Sequence, residues 1–331
     1  MPQKSSLKVF NPVALVFSVM LSMLSTETAI SSSKTVIDPE LIQTAVETLA
    51  SADKAGRAPG SSGSRRAAQW LAEQLDRLGI GLVRGERLQE FGPLKNVVGM
   101  IPGTSDETIV IGAHYDHLGV EADDVYFGAD DNASGCAAVL AIAEALVSAQ
   151  YAPKRNIVFA FFDGEEKGKL GSLHYLSIVD TPYMIKRYHP PVLMLNFDMV
   201  GRMRDQRLFV LGVSTAPYWR DVLEANNSAK LNLSQSALSG FNSDHLAFLA
   251  YGSPVLHFFT GYHNDYHRPS DTVEQINFDG LRDVAELGLR IVTDVDRRET
   301  SLRRHVNDSR PFSRLAAEKL DLTHRLEDNR K

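Results

Sequence analysis

The sequence predicts an α/β protein, a three-layer α/β/α arrangement around a mixed, largely parallel central sheet. Three observations carry this expectation. Short runs that are apolar almost throughout, such as "TIVIGAH" and "VLMLNF", recur along the chain, as expected of strands covered on both faces. Helical patterns lie between them, the alternation of a sheet enclosed by helices. The chain has 331 residues, 44% of them hydrophobic and 23% charged, enough to bury a large core.

The elements follow in order. Lys4 and Lys8 precede the apolar run "VFNPVALVFSVMLSML", and small residues come after it, which reads as an export signal over about residues 1–30. The run is short of the about 20 apolar residues that a spanning helix needs, so export is expected, with an uncleaved membrane anchor as the alternative. One domain is expected over residues 35–300. It opens with helices over 39–55 and 64–80, the second ending on Gly79, with the loop "APGSSGS" between them. Strands follow at "NVVGMI", "TIVIGAH", "NIVFAFFD", "VLMLNFD", "LFVLGV" and "PVLHFFTG". Helices are expected at 132–149, 171–179, 216–228, 243–251 and 278–298. Residues 301–331 are highly charged and read as a peripheral helix or a tail.

A net charge of −6, with no basic run before that tail, argues against a nucleic-acid partner. Cys136 is the only cysteine, which excludes an internal disulfide and any cysteine-rich zinc module. It falls within a helical pattern and reads as a small buried hydrophobe.

Chemistry gathers where the strands end. "TIVIGAHYDH" closes on His114, Asp116 and His117; "NIVFAFFDGEE" on Asp163, Glu165 and Glu166; "VLMLNFD" on Asp198. "PVLHFFTGYHNDYHRPSDT" leads to His263, Asp265, Tyr266, His267 and Asp271. "YFGADDNASG" adds Asp130 and Asp131 at a helix entry that Asn132 and Ser134 suit as caps. In open α/β sheets, sites form beyond the carboxyl ends of strands. So many converging carboxylates need counter-charge. Lys167, Arg202 and Arg268 are the few cations in these motifs, so a pair of divalent ions fits better. Mixed Asp, Glu and His donors without a thiolate suit catalytic zinc. Two metals about 3.5–4 Å apart need a bridging carboxylate, which the Asp130–Asp131 pair supplies.

In order, "GAHYDHLG", "GADDNASG", "FFDGEEKGKLGS", "NFDMVGR", "NSDHLAF" and "DYHRPSDT" resemble the co-catalytic zinc aminopeptidases, among them secreted bacterial leucyl aminopeptidases. Glutamate carboxypeptidases and glutaminyl cyclases are relatives of that family. The resemblance covers about residues 40–298 and implies a zinc-exopeptidase-like fold (phosphorylase/hydrolase-like). The short connection from Val97 to Ile109 leaves no room for the protease-associated domain found in some members.

Carried over by residue, the resemblance implies two zinc ions. His114 and Asp198 would hold one, Glu166 and His267 the other, and Asp130 would bridge them, with a cis peptide on to Asp131. Glu165 would be the general base and Asp116 would orient His114. Tyr266 resembles a tyrosine that hydrogen-bonds the oxyanion in some members, with simple packing as the alternative. Asp244 and His245 read as supporting residues or pocket wall, and Asp163 and Asp271 as turn or supporting carboxylates. The implied activity is removal of N-terminal residues from peptides with a free N-terminus, without nucleic acid or a lasting membrane partner. A carboxypeptidase or dipeptidase of the same family, a glutaminyl-cyclase-like acyltransferase and an inactive binding module are the alternatives.

Overall fold

In the computed structural model the described residues are 36–179, 191–236, 242–299 and 302. The expected export segment lies outside them, as does the charged tail apart from Leu302. Among the described residues eight strands form one sheet in the order β1-β2-β6-β3-β7-β10-β8-β9. These are β1 (Leu88–Phe91), β2 (Leu94–Ile101), β3 (Thr108–His114), β6 (Asn156–Phe162), β7 (Pro191–Phe197), β8 (Arg207–Leu211), β9 (Asn232–Ser236) and β10 (Val255–Phe259). β4 (Gly119–Glu121) and β5 (Asp124–Tyr126) make a separate hairpin. The central four, β6-β3-β7-β10, are mutually parallel. β2 joins β6, β1 joins β2 and β8 joins β10 antiparallel, so the sheet is mixed.

Alternation along the central strands separates two cores. Ile109, Ile111, Phe159, Phe161, Leu195 and Phe197 pack on one face, while Val110, Val158, Phe162 and Met194 pack on the other. The first face takes α1 (Pro39–Leu49), α2 (Ser62–Arg77), α3 (Gly135–Ser148), α5 (Trp219–Asn226) and α7 (Phe278–Arg297). The second takes α4 (Leu170–Val179) and α6 (His245–Tyr251). Three layers result. α3 is buried over most of its surface because it lies between the sheet and both α1 and α7, which is why its sequence is apolar nearly all round. Among the described residues no helix is long and apolar enough to cross a membrane.

The helix expected over 39–55 stops at Leu49. A 3₁₀ segment, Ala52–Arg57, replaces its second half, because Ala55, Gly56 and Arg57 all take positive φ. That turn drives the Arg57 guanidinium into the interior, where it is fully buried. There it donates to the carbonyls of Leu49, Tyr115, Phe127 and Gly128 at 2.6–2.8 Å. One side chain thus ties the exit of β3 to the segment that leads into Asp130 and Asp131.

Candidate metal centre

The four parallel strands β6, β3, β7 and β10 deliver their carboxyl ends side by side, and one pocket forms beyond them. His114, Asp131, Glu165, Glu166, Asp198, Tyr266 and His267 line it, with Asn242, Ser243, His257 and three further apolar or aromatic side chains forming the remaining walls. His114 is the last residue of β3, and Asp198 follows β7 directly. Glu165 and Glu166 sit on the turn after β6, where their backbone N–H groups donate to the two oxygens of Asp116, each at 3.1 Å. The Asp116 carboxylate thus grips that turn. Its Oδ1 is 3.7 Å from His114 Nδ1, which lies nearer the Asp116 carbonyl at 3.2 Å.

The adjacent aspartates have opposite fates. Asp130, expected to bridge, is turned inward. Its Oδ1 accepts from Gly201 N at 2.6 Å and from the Ser134 hydroxyl at 3.0 Å, and its Oδ2 faces His263 Nε2 at 3.1 Å. Asp131 faces the pocket instead. Its Oδ1 is 3.5 Å from His114 Nε2, and its Oδ2 is 3.1 Å from His267 Nε2 and 3.6 Å from His117 Nδ1. The cis peptide is likewise one residue later than expected, between Asp131 and Asn132. The cause is long-range. Asp271 accepts the backbone N–H groups of both aspartates, while Asn132 donates to Phe197 O and accepts from Gly135 N and Met199 N. Gly128 enters this turn at φ 56, and a Cβ there would stand 2.1 Å from Asp131 O.

The donor atoms fall into groups of the right spacing for cations. His114, Asp131 and Asp198 form one group, and Asp131, Glu166 and His117 another. His114 Nε2 is 3.3 Å from Asp198 Oδ1, and His267 Nε2 is 3.4 Å from Glu166 Oε2. Ligands held about 2.0–2.1 Å from a tetrahedral ion lie about 3.3 Å apart, so these edges fit. Asp131 is common to both groups and turns a different oxygen toward each imidazole.

The electrostatics agree with a site built for positive charge. Burial pushes Glu165 well above the usual carboxylate range, and Asp244, Asp198 and Asp116 push the same way against His114. Burial also raises Glu166, but hydrogen bonds from His117 and His267 overcome it and hold that carboxylate low. Burial lowers His267, and Asp131 and Glu166 more than offset this, raising it to about 10. Asp271 is raised to about 6 by burial and by Asp130. The imidazoles of His245 and His257 stack 4.3 Å apart, the latter in the pocket wall, and burial is the chief cause that lowers both. Tyr266 stacks on His267 at 3.8 Å.

Sequence reasoning underused three residues. His117 lies against Glu166, Asp271 holds the turn, and Arg57 clamps the carbonyls beneath it. The residue types of His117 and Asp271 were visible within the motifs, but nothing in "RAPG" marked Arg57 as buried.

Paired carboxylate–imidazole groups thus stand at the carboxyl edge of a mixed three-layer α/β sheet, with the spacing of a candidate metal site. Residues 96–292 match peptidase family M28, and the chain belongs to that family. It is 29% identical over 226 residues to a probable leucine aminopeptidase of Arthroderma otae, across 64% of this chain and 61% of that protein. The chain therefore spans about three fifths of the length of such relatives. Its fold is shared with a zinc aminopeptidase of Bacillus subtilis (TM-score 0.66, 16% identity, covering 82% of this chain and 99% of that one). It is also shared with the glutaminyl cyclase of Porphyromonas gingivalis (TM-score 0.67, 21% identity, 78% and 99%).

Proposed function

We propose that this chain is a zinc-dependent exopeptidase, an aminopeptidase that releases N-terminal residues from peptides. The observation that carries the reading is Asp131, whose two oxygens face two separate imidazole–carboxylate groups in one pocket beside Glu165. The leucine aminopeptidase and zinc aminopeptidase among its relatives support the substrate class and the metal. His114 and Asp198 would hold one zinc, Glu166 and His267 the other, and Asp131 both. Bound there, zinc would polarise the scissile carbonyl and lower the pKa of the attacking water.

The chain's own groups supply the rest. Glu165 takes the proton of the attacking water on a carboxylate oxygen and returns it to the nitrogen of the leaving amine. Asp116 keeps Glu165 and Glu166 in register by holding their backbone N–H groups. The Tyr266 hydroxyl, held protonated by burial and by Asp131 and Glu166, donates toward the oxygen that gains charge. The free α-ammonium of the substrate is bound by the surrounding carboxylates. Lys4, Lys8 and the apolar run after them support export of the protein.

The test compares a leucine anilide with its N-acetylated twin, using chelator-stripped protein titrated with zinc. Turnover of the free amine alone, rising up to two equivalents, is the expected result. Silence on both, with two ions bound, overturns the aminopeptidase reading and moves the search to dipeptides, C-terminal substrates and glutaminyl peptides.

A further inference from the structure

We propose that His117 is a positioning residue for Glu166: its Nδ1–H donates to Glu166 Oε1 and thereby reserves Oε2 for the second ion. The inference rests on the two-ion reading and adds a residue to it.

His117 follows β3 and is fully buried. Its backbone N–H donates to Arg57 O, and its ring lies against Gly128, where a Cβ would stand 2.6 Å from Cδ2. The ring is therefore fixed from behind. Its Nδ1 is 3.0 Å from Glu166 Oε1, within hydrogen-bond range. The other carboxylate oxygen, Oε2, faces His267 Nε2, which in turn is 3.1 Å from Asp131 Oδ2. The two oxygens of Glu166 are thus divided between two imidazoles, and only Oε2 shares its edge with His267.

The other ring nitrogen settles which way the proton sits. His117 Nε2 is buried and has no hydrogen-bond partner among the described residues. If Nδ1 served as a metal ligand, the ring proton would occupy Nε2 and leave a buried N–H unpaired. With the proton on Nδ1, only a lone pair goes unused, and unpaired buried acceptors are better tolerated than unpaired buried donors. Hydrogen bonds of this kind commonly orient the carboxylates that hold metals.

Two amide substitutions separate the roles, because asparagine places its N–H₂ where Nδ1 lies and glutamine places it nearer Nε2. Zinc affinity would be read by competition with a chromophoric chelator, and ligand number by the visible spectrum of the cobalt-loaded protein. His117→Asn should hold the second ion within about threefold of the wild type, whereas His117→Gln should weaken it by about 10–100-fold, with the first ion unchanged. The cobalt spectra of both saturated variants should match the wild type. Equal losses in the two variants with an altered cobalt spectrum would make His117 a ligand and overturn the proposal, as would wild-type affinity in both. Wild-type protein that takes up fewer than two ions would overturn the metal-centre reading itself, and that result is read before any variant is made.

Discussion

Replacing Asp131 by asparagine should weaken both ions, whereas the same change at its neighbour Asp130 should leave them in place. The Asp131 carboxylate turns Oδ1 to His114 and Oδ2 to His267. Whichever way an amide is oriented there, one group loses its oxygen and both lose the charge. Structural zinc sites with four ligands bind with apparent energies of about 10–16 kcal/mol, which is roughly 3–4 kcal/mol per ligand, or on the order of 10²–10³-fold. Asp130 lies behind the site, and its amide would still accept from Gly201 N and Ser134 through Oδ1. What is lost is its charge and the Oδ2 acceptor that faces His263 Nε2, at about 1–3 kcal/mol of folding stability, with ion affinity changed less than about tenfold. Metal per chain after equilibrium dialysis, chelator competition and urea unfolding together read these quantities. The reverse pattern, with two ions kept by the Asp131 variant and lost by the Asp130 variant, would refute the assignment.

Two further outcomes are expected. Glu165→Gln should bind both ions normally and lose about 10²–10⁴-fold in kcat, because it removes only the proton carrier; near-wild-type turnover would sink its role as base. Away from the centre, His174 stacks on Phe91 at 4.3 Å, and burial together with Arg84 lowers it to about 4. Its stabilising effect is complete above the unfolded value near 6.5 and is lost as pH falls toward 4, because the unfolded chain takes up the proton first. That shift is worth at most about 3 kcal/mol, so His174→Phe should narrow the difference in urea stability between pH 7.5 and 4.5 by about 2 kcal/mol. An unchanged pH dependence would contradict this account.

Much of the architecture was legible without coordinates, for an identifiable reason. Strands β3, β6, β7 and β10 are buried on both faces, so their apolar runs are nearly uninterrupted, and the polar residues that end them stand out. The weaker strands were not legible. β1 reads "LQEF" and β9 "NLSQS", short and largely polar because they form the two edges of the sheet. The apolar spacing of the first helix continues beyond Leu49, where the helix itself ends, because the positive φ values that follow serve Arg57 and its four carbonyls.

By itself the sequence determined which strand ends carry carboxylates and imidazoles, and hence where the candidate metal centre lies, because strand periodicity and residue chemistry are local properties. It also placed two aspartates at the entry of α3. Tertiary structure alone decided which of them turns outward. Asp130 and Asp131 are chemically identical, and their directions come from Asp271, about 140 residues away, and from Phe197 and Gly201 in and beyond β7. The same holds for His117, whose nearness to Glu166 depends on β3 and β6 lying side by side. Side-chain direction in an irregular turn is set by partners remote in the chain, and no local pattern of residues records them.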